Sequence, residues 1–262
     1  MQATLTRARA RARGVRWKSS GLLGALALLV VLMVVWLWTS TSALVASPWD
    51  AVQALGQRIR VGSLWPPLLW TLQATFLGFA IAASIGVAVG VMLGVSARAR
   101  RALAPVLVSF GSVPKIVFYP ICLTLLKVGM SSEIAFVAIG AFVPVFIYCF
   151  EAIRGIPAVY YKLSRVYRLS PAQAAAKVYL PAIAPGAVVA LRLGLSLALI
   201  HAVLAEMTVA RRGLGVDLVR LYGRGEVDAV WGIILALLVL AIGINLALGG
   251  VERMLRGAAG RQ

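Results

Sequence analysis

Long apolar segments alternate with short polar ones along this chain, and the apolar segments are long enough to cross a membrane. A transmembrane helix needs about 20 predominantly apolar residues. The pattern therefore predicts an all-α, polytopic membrane protein with six transmembrane helices, over about residues 21–38, 68–94, 106–126, 134–150, 186–207 and 230–250.

A polar and basic stretch between the fourth and fifth predicted spans, residues 157–181, departs from this pattern, and we call it the 157–181 loop. Its first half predicts a short helix, because four mainly apolar side chains recur at helical spacing on one face while three basic ones share another. The first set is Tyr160, Leu163, Val166 and Tyr167, and the basic set is Lys162, Arg165 and Arg168.

The second half of the 157–181 loop has the residues of a helix start. Ser170 is a preferred N-cap, Pro171 suits the first helical position, and Gln173 stands where it closes a capping box. Because the residue before a proline disfavours helical backbone angles, this second helix is predicted to end before Pro181.

Composition agrees with a membrane protein and gives the chain a strong positive charge. Of its 262 residues, 61% are hydrophobic and 13% are charged, and the net charge is +18. A soluble domain would have no means to cover so much apolar surface. The basic residues concentrate in alternate loops rather than in one stripe, which argues for membrane lipids and against nucleic acid as partners.

The chain opens with a basic tail, residues 1–20, and continues as a single transmembrane domain, residues 21–262. A basic segment before an apolar one also describes a signal peptide. Since the apolar run is long and more spans follow it, we interpret it as a retained first span. The mixed segment at residues 41–65 predicts an external stretch with a surface helix.

The basic residues also predict which side of the membrane each loop occupies. With the N-terminus in the cytoplasm, the inside segments carry a clear excess of Lys and Arg, as the positive-inside rule requires. Six spans then return the C-terminus to the cytoplasm, where the 157–181 loop also lies. The outside segments carry balanced charge, because their basic residues are accompanied by Asp50, Glu133, Asp217, Glu226 and Asp228.

Prolines and polar residues within the spans are candidates for lining a transport pathway. A titratable group in a span is costly and is therefore a functional hypothesis, and a proline leaves a carbonyl group unpaired, which is tolerated beside a water-filled path. A plain kink explains the prolines equally well, a packing role explains His201 better than proton relay, and Glu206 lies within reach of the outer interface. The candidates are Pro114, Tyr119, Pro120, Pro144, His201 and Glu206.

Small residues recur at every fourth position of the second span, at Gly86, Gly90 and Gly94. Such rows let helix backbones approach closely in lipid, so the glycines alone predict helix packing. The longer string from Thr71, T-L-x-x-T-x-x-G-F-x-x-A-x-x-x-G-x-x-x-G-x-x-x-G, resembles the equivalent span of nitrate, sulfonate and taurine importer permeases.

Three further segments resemble the same family, the permease subunits of bacterial ABC importers. The 157–181 loop is similar to their cytoplasmic EAA loop, with Leu180-Pro181 at its L-P position, Lys162-Leu163-Ser164 where E-A-A would stand and Arg168 at its Gly position. The segment SVPKIVFYPICL is similar to their proline-rich third span. The string A-E-M at residues 205–207, followed by R-R-G-L-G at residues 211–215, is also typical of them.

The resemblance implies an inner-membrane permease subunit for a small anionic solute such as a sulfonate, nitrate or taurine. The implied partners are ABC ATPase subunits, a second permease in a homo- or heterodimer, and an extracytoplasmic substrate-binding protein. ATP and Mg would belong to the ATPase, and no cofactor, metal or catalytic residue is implied in this chain. The implied ATPase-coupling residues are Tyr160, Lys162, Leu163, Ser164, Arg165, Val166, Tyr167, Arg168, Ser170, Gln173, Leu180 and Pro181.

Arg168 departs from the family pattern at the break between the two predicted loop helices. Such a break commonly uses glycine in the left-handed conformation, and another residue there costs about 1 kcal/mol. Either the first helix ends differently, or this loop is degenerate and belongs to one half of a permease heterodimer.

The alternative functions are a secondary transporter and an intramembrane enzyme, each acting without an ATPase. The sequence has no G-x-x-x-x-G-K-[ST], no H-E-x-x-H and no nucleophile elbow, which leaves an enzyme poorly supported. A secondary transporter would more often show an inverted repeat with interrupted helices in both halves. Here only the third predicted span is clearly interrupted by prolines.

Overall fold

The computed structural model describes residues 30–40, 45–96, 101–103 and 111–259, together with residues 24, 28, 106 and 109. The basic tail of residues 1–20, most of the first half of the first predicted span, and the cations Arg98, Arg100 and Arg261 lie outside these residues.

The described residues are helical and contain no strand, which confirms the all-α fold class. A 3₁₀ turn at Lys115–Phe118 precedes α4, and a π-helical segment at Ala175–Tyr179 joins α7 to α8. The helices with defined bounds are α1 (Val30–Thr39), α2 (Pro48–Val61), α3 (Trp65–Val95), α4 (Tyr119–Leu126), α5 (Met130–Arg154), α6 (Ala158–Val166), α7 (Pro171–Ala174), α8 (Leu180–Val209), α9 (Leu214–Gly223) and α10 (Val227–Ala259).

Within the residues that the structure describes, four helices are long and apolar enough to cross a membrane: α3, α5, residues Gly186–Val209 of α8 and Val227–Gly250 of α10. They correspond to the second, fourth, fifth and sixth predicted spans. Within the first and third predicted spans the structure has only the shorter apolar helices Val30–Thr39 and Lys115–Leu126 among its described residues. The count of six spans therefore stays a prediction.

Glycines along α3 let this helix pack closely against α5. A Cβ atom at any of four α3 glycines would lie only 2.6–2.9 Å from an α5 side chain. Because the paired residues keep a constant offset along both helices, α3 and α5 run parallel. The pairs are Gly78 with Val137, Gly86 with Val145, Gly90 with Cys149 and Gly94 with Ile153, and we call them the glycine seam.

The surface helix predicted within residues 41–65 is present as α2, and it packs against α10. Ser47 caps its N-terminus, where the Ser47 hydroxyl accepts a hydrogen bond from the Asp50 N–H at 3.1 Å. Gly232 of α10 allows the close approach, since a Cβ there would lie 3.1 Å from the Leu55 nitrogen. An ion pair between Arg58 and Asp217 ties α2 to α9 as well.

The predicted end of the second loop helix before Pro181 is wrong, because the chain stays helical from Pro171 to Val209. A proline inside a helix lacks one N–H and clashes with the carbonyl group four residues earlier. Here the π-helical segment at Ala175–Tyr179 ends two residues before Pro181, and its wider turn accommodates that misfit. The 157–181 loop thus leads directly into α8. We call the end of the bundle that carries this loop the loop end, and the opposite end the far end.

Candidate functional site

The inner face of α6 is fastened to the ends of two membrane-spanning elements. The Tyr161 hydroxyl donates to the carbonyl oxygen of Ile153 in α5 at 3.0 Å. The buried Ser164 hydroxyl donates to the Tyr161 carbonyl oxygen and lies 3.0 Å from the Tyr179 hydroxyl, which is therefore the donor to Ser164. The rings of Tyr161 and Tyr179 also contact each other, so α6 is linked both to α5 and to the start of α8.

The outer face of α6 is apolar and has no partner among the described residues. Val166 and Tyr167 are 77% and 69% exposed, and Leu163 and Tyr160 on the same face are also exposed. These are the four residues that the sequence predicts to share one face. A contiguous exposed apolar patch on a helix outside the spans is typical of a protein-protein contact surface.

The break after α6 is a Schellman motif, formed around Arg168 in place of glycine. Arg168 has φ +47°, in the left-handed region. The Leu169 N–H donates to the Ser164 carbonyl oxygen and the Arg168 N–H to the Arg165 carbonyl oxygen, both at 3.0 Å, which are the two bonds of that motif. The first helix thus ends as it would with glycine, and Arg168 carries the conformational cost.

Arg168→Gly is therefore expected to stabilise the chain by about 1 kcal/mol, because glycine adopts positive φ without a Cβ penalty. Arg165→Gly is the matched control, since it removes the same side chain three residues earlier inside α6. There glycine costs about 1 kcal/mol of helix stability. Thermal unfolding in detergent should move up for the first variant and down for the second, and movement in the same direction would contradict the assignment.

The helix start at Ser170 has the predicted capping box. The Gln173 N–H donates to the Ser170 hydroxyl at 3.3 Å, and the Ser170 N–H donates to Gln173 Oε1 at 3.0 Å. Leu180 and Pro181 form the junction between the π-helical segment and α8. The loop residues named in the sequence thus form one continuous structure, with Lys162 exposed on α6.

A buried polar cluster lies at the far end, and it contains two carboxylates. Glu133 and Glu206 are 0% and 2% exposed. Adjacent residues of α3 bind them: Trp70 Nε1 donates to Glu133 at 2.8 Å, and the Thr71 hydroxyl lies 3.0 Å from Glu206 Oε2. Both carboxylates are therefore enclosed within the bundle rather than exposed on its surface.

The R-R-G-L-G string closes over this far-end cluster. The Gly215 N–H donates to Glu206 Oε2 at 2.8 Å, and the Leu214 N–H donates to the Thr71 hydroxyl at 3.0 Å. Gly213, at φ +124°, has its Cα against the Glu206 carboxyl group, where a Cβ would find no room. The Glu206 carboxylate therefore binds the end of α8 to the start of α9, which explains its spacing to the two glycines.

Two further pathway candidates, Tyr119 and His201, form a second group beside the cluster. Tyr119 is buried against Phe136 at 4.9 Å between ring centroids, and Phe136 contacts the His201 ring edge-on at 5.2 Å. The His201 Nδ1 atom lies 2.7 Å from the Leu197 carbonyl oxygen, and the ring occupies the space left by Gly140. The prolines stand apart: Pro114 precedes the 3₁₀ turn, Pro120 is in the first turn of α4, and Pro144 lies inside α5.

Several residues of both sites were missed in the sequence. Thr71 begins the T-L-x-x-T string, and its place in that motif was a signal of a role. Glu133 lies in a polar turn, where the sequence gives no sign that it is buried. Tyr161 and Tyr179 lie 18 residues apart with no pattern that links them. In the described part of the chain no three His, Cys, Asp or Glu side chains group as a metal site would require.

An all-helical bundle with an exposed amphipathic helix between two spans fits the class of transporter permeases, and comparisons with known proteins agree. Residues 82–257 match the family model described as "Binding-protein-dependent transport system inner membrane component". The chain is 30% identical over 203 residues to SsuC of Bacillus subtilis (strain 168), a permease named for aliphatic sulfonates transport, covering 76% of this chain and 74% of SsuC.

Two further matches point the same way. The nitrate import permease protein NrtB of Synechococcus elongatus is 31% identical over 180 residues, covering 68% of this chain and 64% of NrtB. A chain of the MetNI methionine ABC transporter in an inward-facing conformation superposes with a TM-score of 0.62 at 25% identity, covering 71% of this chain and 93% of that one.

The chain belongs to the binding-protein-dependent transport system inner membrane component family. It is a multi-pass membrane permease subunit of an ABC importer and not an enzyme. The resemblance seen in the sequence is thereby confirmed, and family membership decides against the intramembrane enzyme and the self-powered secondary transporter.

Proposed function

We propose that this permease is driven by cytoplasmic ABC ATPase subunits that bind the exposed face of α6. The observation that carries the proposal is the division of α6 into two faces. One face is apolar and open, through Leu163, Val166 and Tyr167, while the other is hydrogen-bonded to the ends of spanning elements.

A helix held by these hydrogen bonds transmits an applied force to the spanning elements. When ATP and Mg close the ATPase subunits, α6 moves, and the bonds of Tyr161 to Ile153 and of Ser164 to Tyr179 carry that movement to α5 and α8. Tilting of these spans then switches access from one side of the membrane to the other. Lys162 adds a charge at the rim of the contact surface.

The remaining parts of the assembly follow from this assignment. The 157–181 loop and both termini face the cytoplasm of an inner membrane, as the positive-inside rule predicts. A second permease subunit completes the pathway, and an extracytoplasmic binding protein delivers the solute to the far end. We propose a small anion as that solute, because SsuC and NrtB are named for sulfonates and nitrate and because four arginines, Arg211, Arg212, Arg220 and Arg224, lie at the far end.

The test is co-purification of the tagged chain from its native membrane in mild detergent, followed by mass spectrometry. An ATPase with a P-loop is expected in the wild-type preparation. The double variant Leu163→Asp with Val166→Asp is expected to reduce its amount at least about tenfold, because two carboxylates desolvated in an apolar contact cost several kcal/mol. Val219→Asp, on α9 at the far end, is the control and should retain the ATPase, since Val219 is as exposed as Leu163.

Equal ATPase recovery from the double variant and from Val219→Asp would contradict the role of α6. Recovery of the chain alone, with transport intact after reconstitution, would overturn the ATP-driven mechanism itself. The same preparation tests the heterodimer hypothesis, since a second, different permease supports it and two identical copies that each bind an ATPase would exclude it.

A further inference from the structure

A large groove at the loop end lies between the last three turns of α3 and the 157–181 loop. Its volume is about 1030 Å³. One wall is the α3 surface from Ala83 to Val95, and the other is formed by α6, α7 and the π-helical segment. The groove opens sideways, towards the surroundings of the bundle, since Met92 on its wall is 67% exposed.

The α3 wall of the groove is apolar along its length. Small side chains at Ser84 and Ala88 make it concave, and Val91 and Val95 continue it towards the loop. The 11-residue step from Ser84 to Val95 spans about 17 Å at the helical rise. That length is close to half of the roughly 30 Å hydrocarbon core of a bilayer, so it matches the length of one leaflet.

Two guanidinium groups stand at the loop end of the groove. Arg165 and Arg168 belong to the lining, and no carboxylate side chain does. Neither arginine forms a salt bridge within the described part of the chain. The Schellman motif holds the backbone at Arg168 in one conformation and so fixes the point from which its side chain extends.

We propose that this groove binds an anionic glycerophospholipid, with its phosphate on Arg165 and Arg168 and an acyl chain along α3. Two arginines at the end of an apolar groove of one-leaflet length match an acidic head group joined to a hydrocarbon chain. Basic pockets beside transmembrane helices on the cytoplasmic side favour such head groups. The bound lipid fills the space between α3 and the loop and thereby holds α6 against the bundle.

A second copy of this chain fits the groove less well. It would need carboxylates at the loop end to meet the two arginines, and the sequence offers few at this end. Glu151 is one of them, and it is already paired with Arg154 at 3.3 Å. The lipid proposal goes beyond the proposed function, because it requires neither the ATPase nor a particular transported solute.

Native mass spectrometry of the full chain, purified in detergent with the subunits that accompany it, tests this proposal. Equal amounts of phosphatidylglycerol and phosphatidylcholine are added, and the lipids retained by the protein are counted. Wild type should retain phosphatidylglycerol preferentially, and Arg165→Gln with Arg168→Gln should reduce that preference about fivefold for each arginine. Ala88→Phe, which fills the groove, should reduce retention of both lipids.

Two matched controls keep the test specific. Lys162→Gln removes a cation from α6 that does not line the groove, and Ile85→Phe enlarges an exposed α3 side chain outside the lining. Both should retain phosphatidylglycerol as wild type does. Equal retention by all variants would overturn the proposal. The proposal would also be overturned if wild type showed no lipid preference and the Ala88→Phe variant separated the permease dimer into monomers. The groove would then be a subunit interface.

Discussion

Replacing Gly78 with leucine is expected to prevent the chain from accumulating as a folded protein. A Cβ at position 78 would lie 2.6 Å from Val137 Cβ and 2.9 Å from the Ile134 carbonyl oxygen, so α3 and α5 would have to separate. Overpacking against side chains alone costs about 1–3 kcal/mol. The clash with the Ile134 carbonyl oxygen adds to this cost, because a backbone atom cannot change rotamer to relieve it. The expected cost is therefore a large part of a typical net stability of about 5–15 kcal/mol.

The measurement is the yield of monodisperse protein in mild detergent, together with its thermal unfolding midpoint. Gly243→Leu is the matched control, because it makes the same substitution in a spanning helix where a Cβ would meet nothing within 4 Å. The control should behave as wild type. If both variants give the same yield and midpoint, close packing in the glycine seam is not what holds α3 against α5.

The seam illustrates what could be predicted from the sequence and why. A row such as Gly86, Gly90 and Gly94 indicates close helix packing, because only small side chains let two backbones approach in lipid. The partner helix was not predictable, since Val137, Val145 and Cys149 are ordinary apolar residues that fit any neighbour. Local rules therefore identified the packing surface, and only the assembled bundle identified what it contacts.

The 157–181 loop shows the same division between local and long-range information. The capping box of Ser170 and Gln173 and the exposed face of α6 depend on residues within four positions of each other, and both were predictable. The bond of Ser164 to Tyr179 joins residues that become neighbours only after the chain turns at Arg168. The helix was predicted to end before Pro181, and that prediction failed. A π-helical segment accommodates the proline, which the general rule excludes from a helix interior.

Glu206→Leu is expected to destabilise the far end, although it places an apolar side chain in a span. The Gly215 N–H now donates to Glu206 Oε2 at 2.8 Å, and the substitution would leave that N–H without its acceptor. A buried donor without a partner costs about 1–3 kcal/mol, which corresponds to a fall in unfolding midpoint of roughly 2–12 °C. Glu206→Gln keeps one acceptor oxygen, so it should lose less.

Glu226→Leu is the matched control at the same end of the bundle. Glu226 is exposed, and its side chain forms an ion pair with Arg224 at 3.7 Å, which is worth at most about 1 kcal/mol. Its midpoint should stay near that of wild type. If Glu206→Leu matches Glu226→Leu, the carboxylate does not bind α8 to α9. The order wild type, Glu206→Gln, Glu206→Leu in falling midpoint is what an acceptor role requires, because removal of the charge alone would affect both Glu206 variants equally.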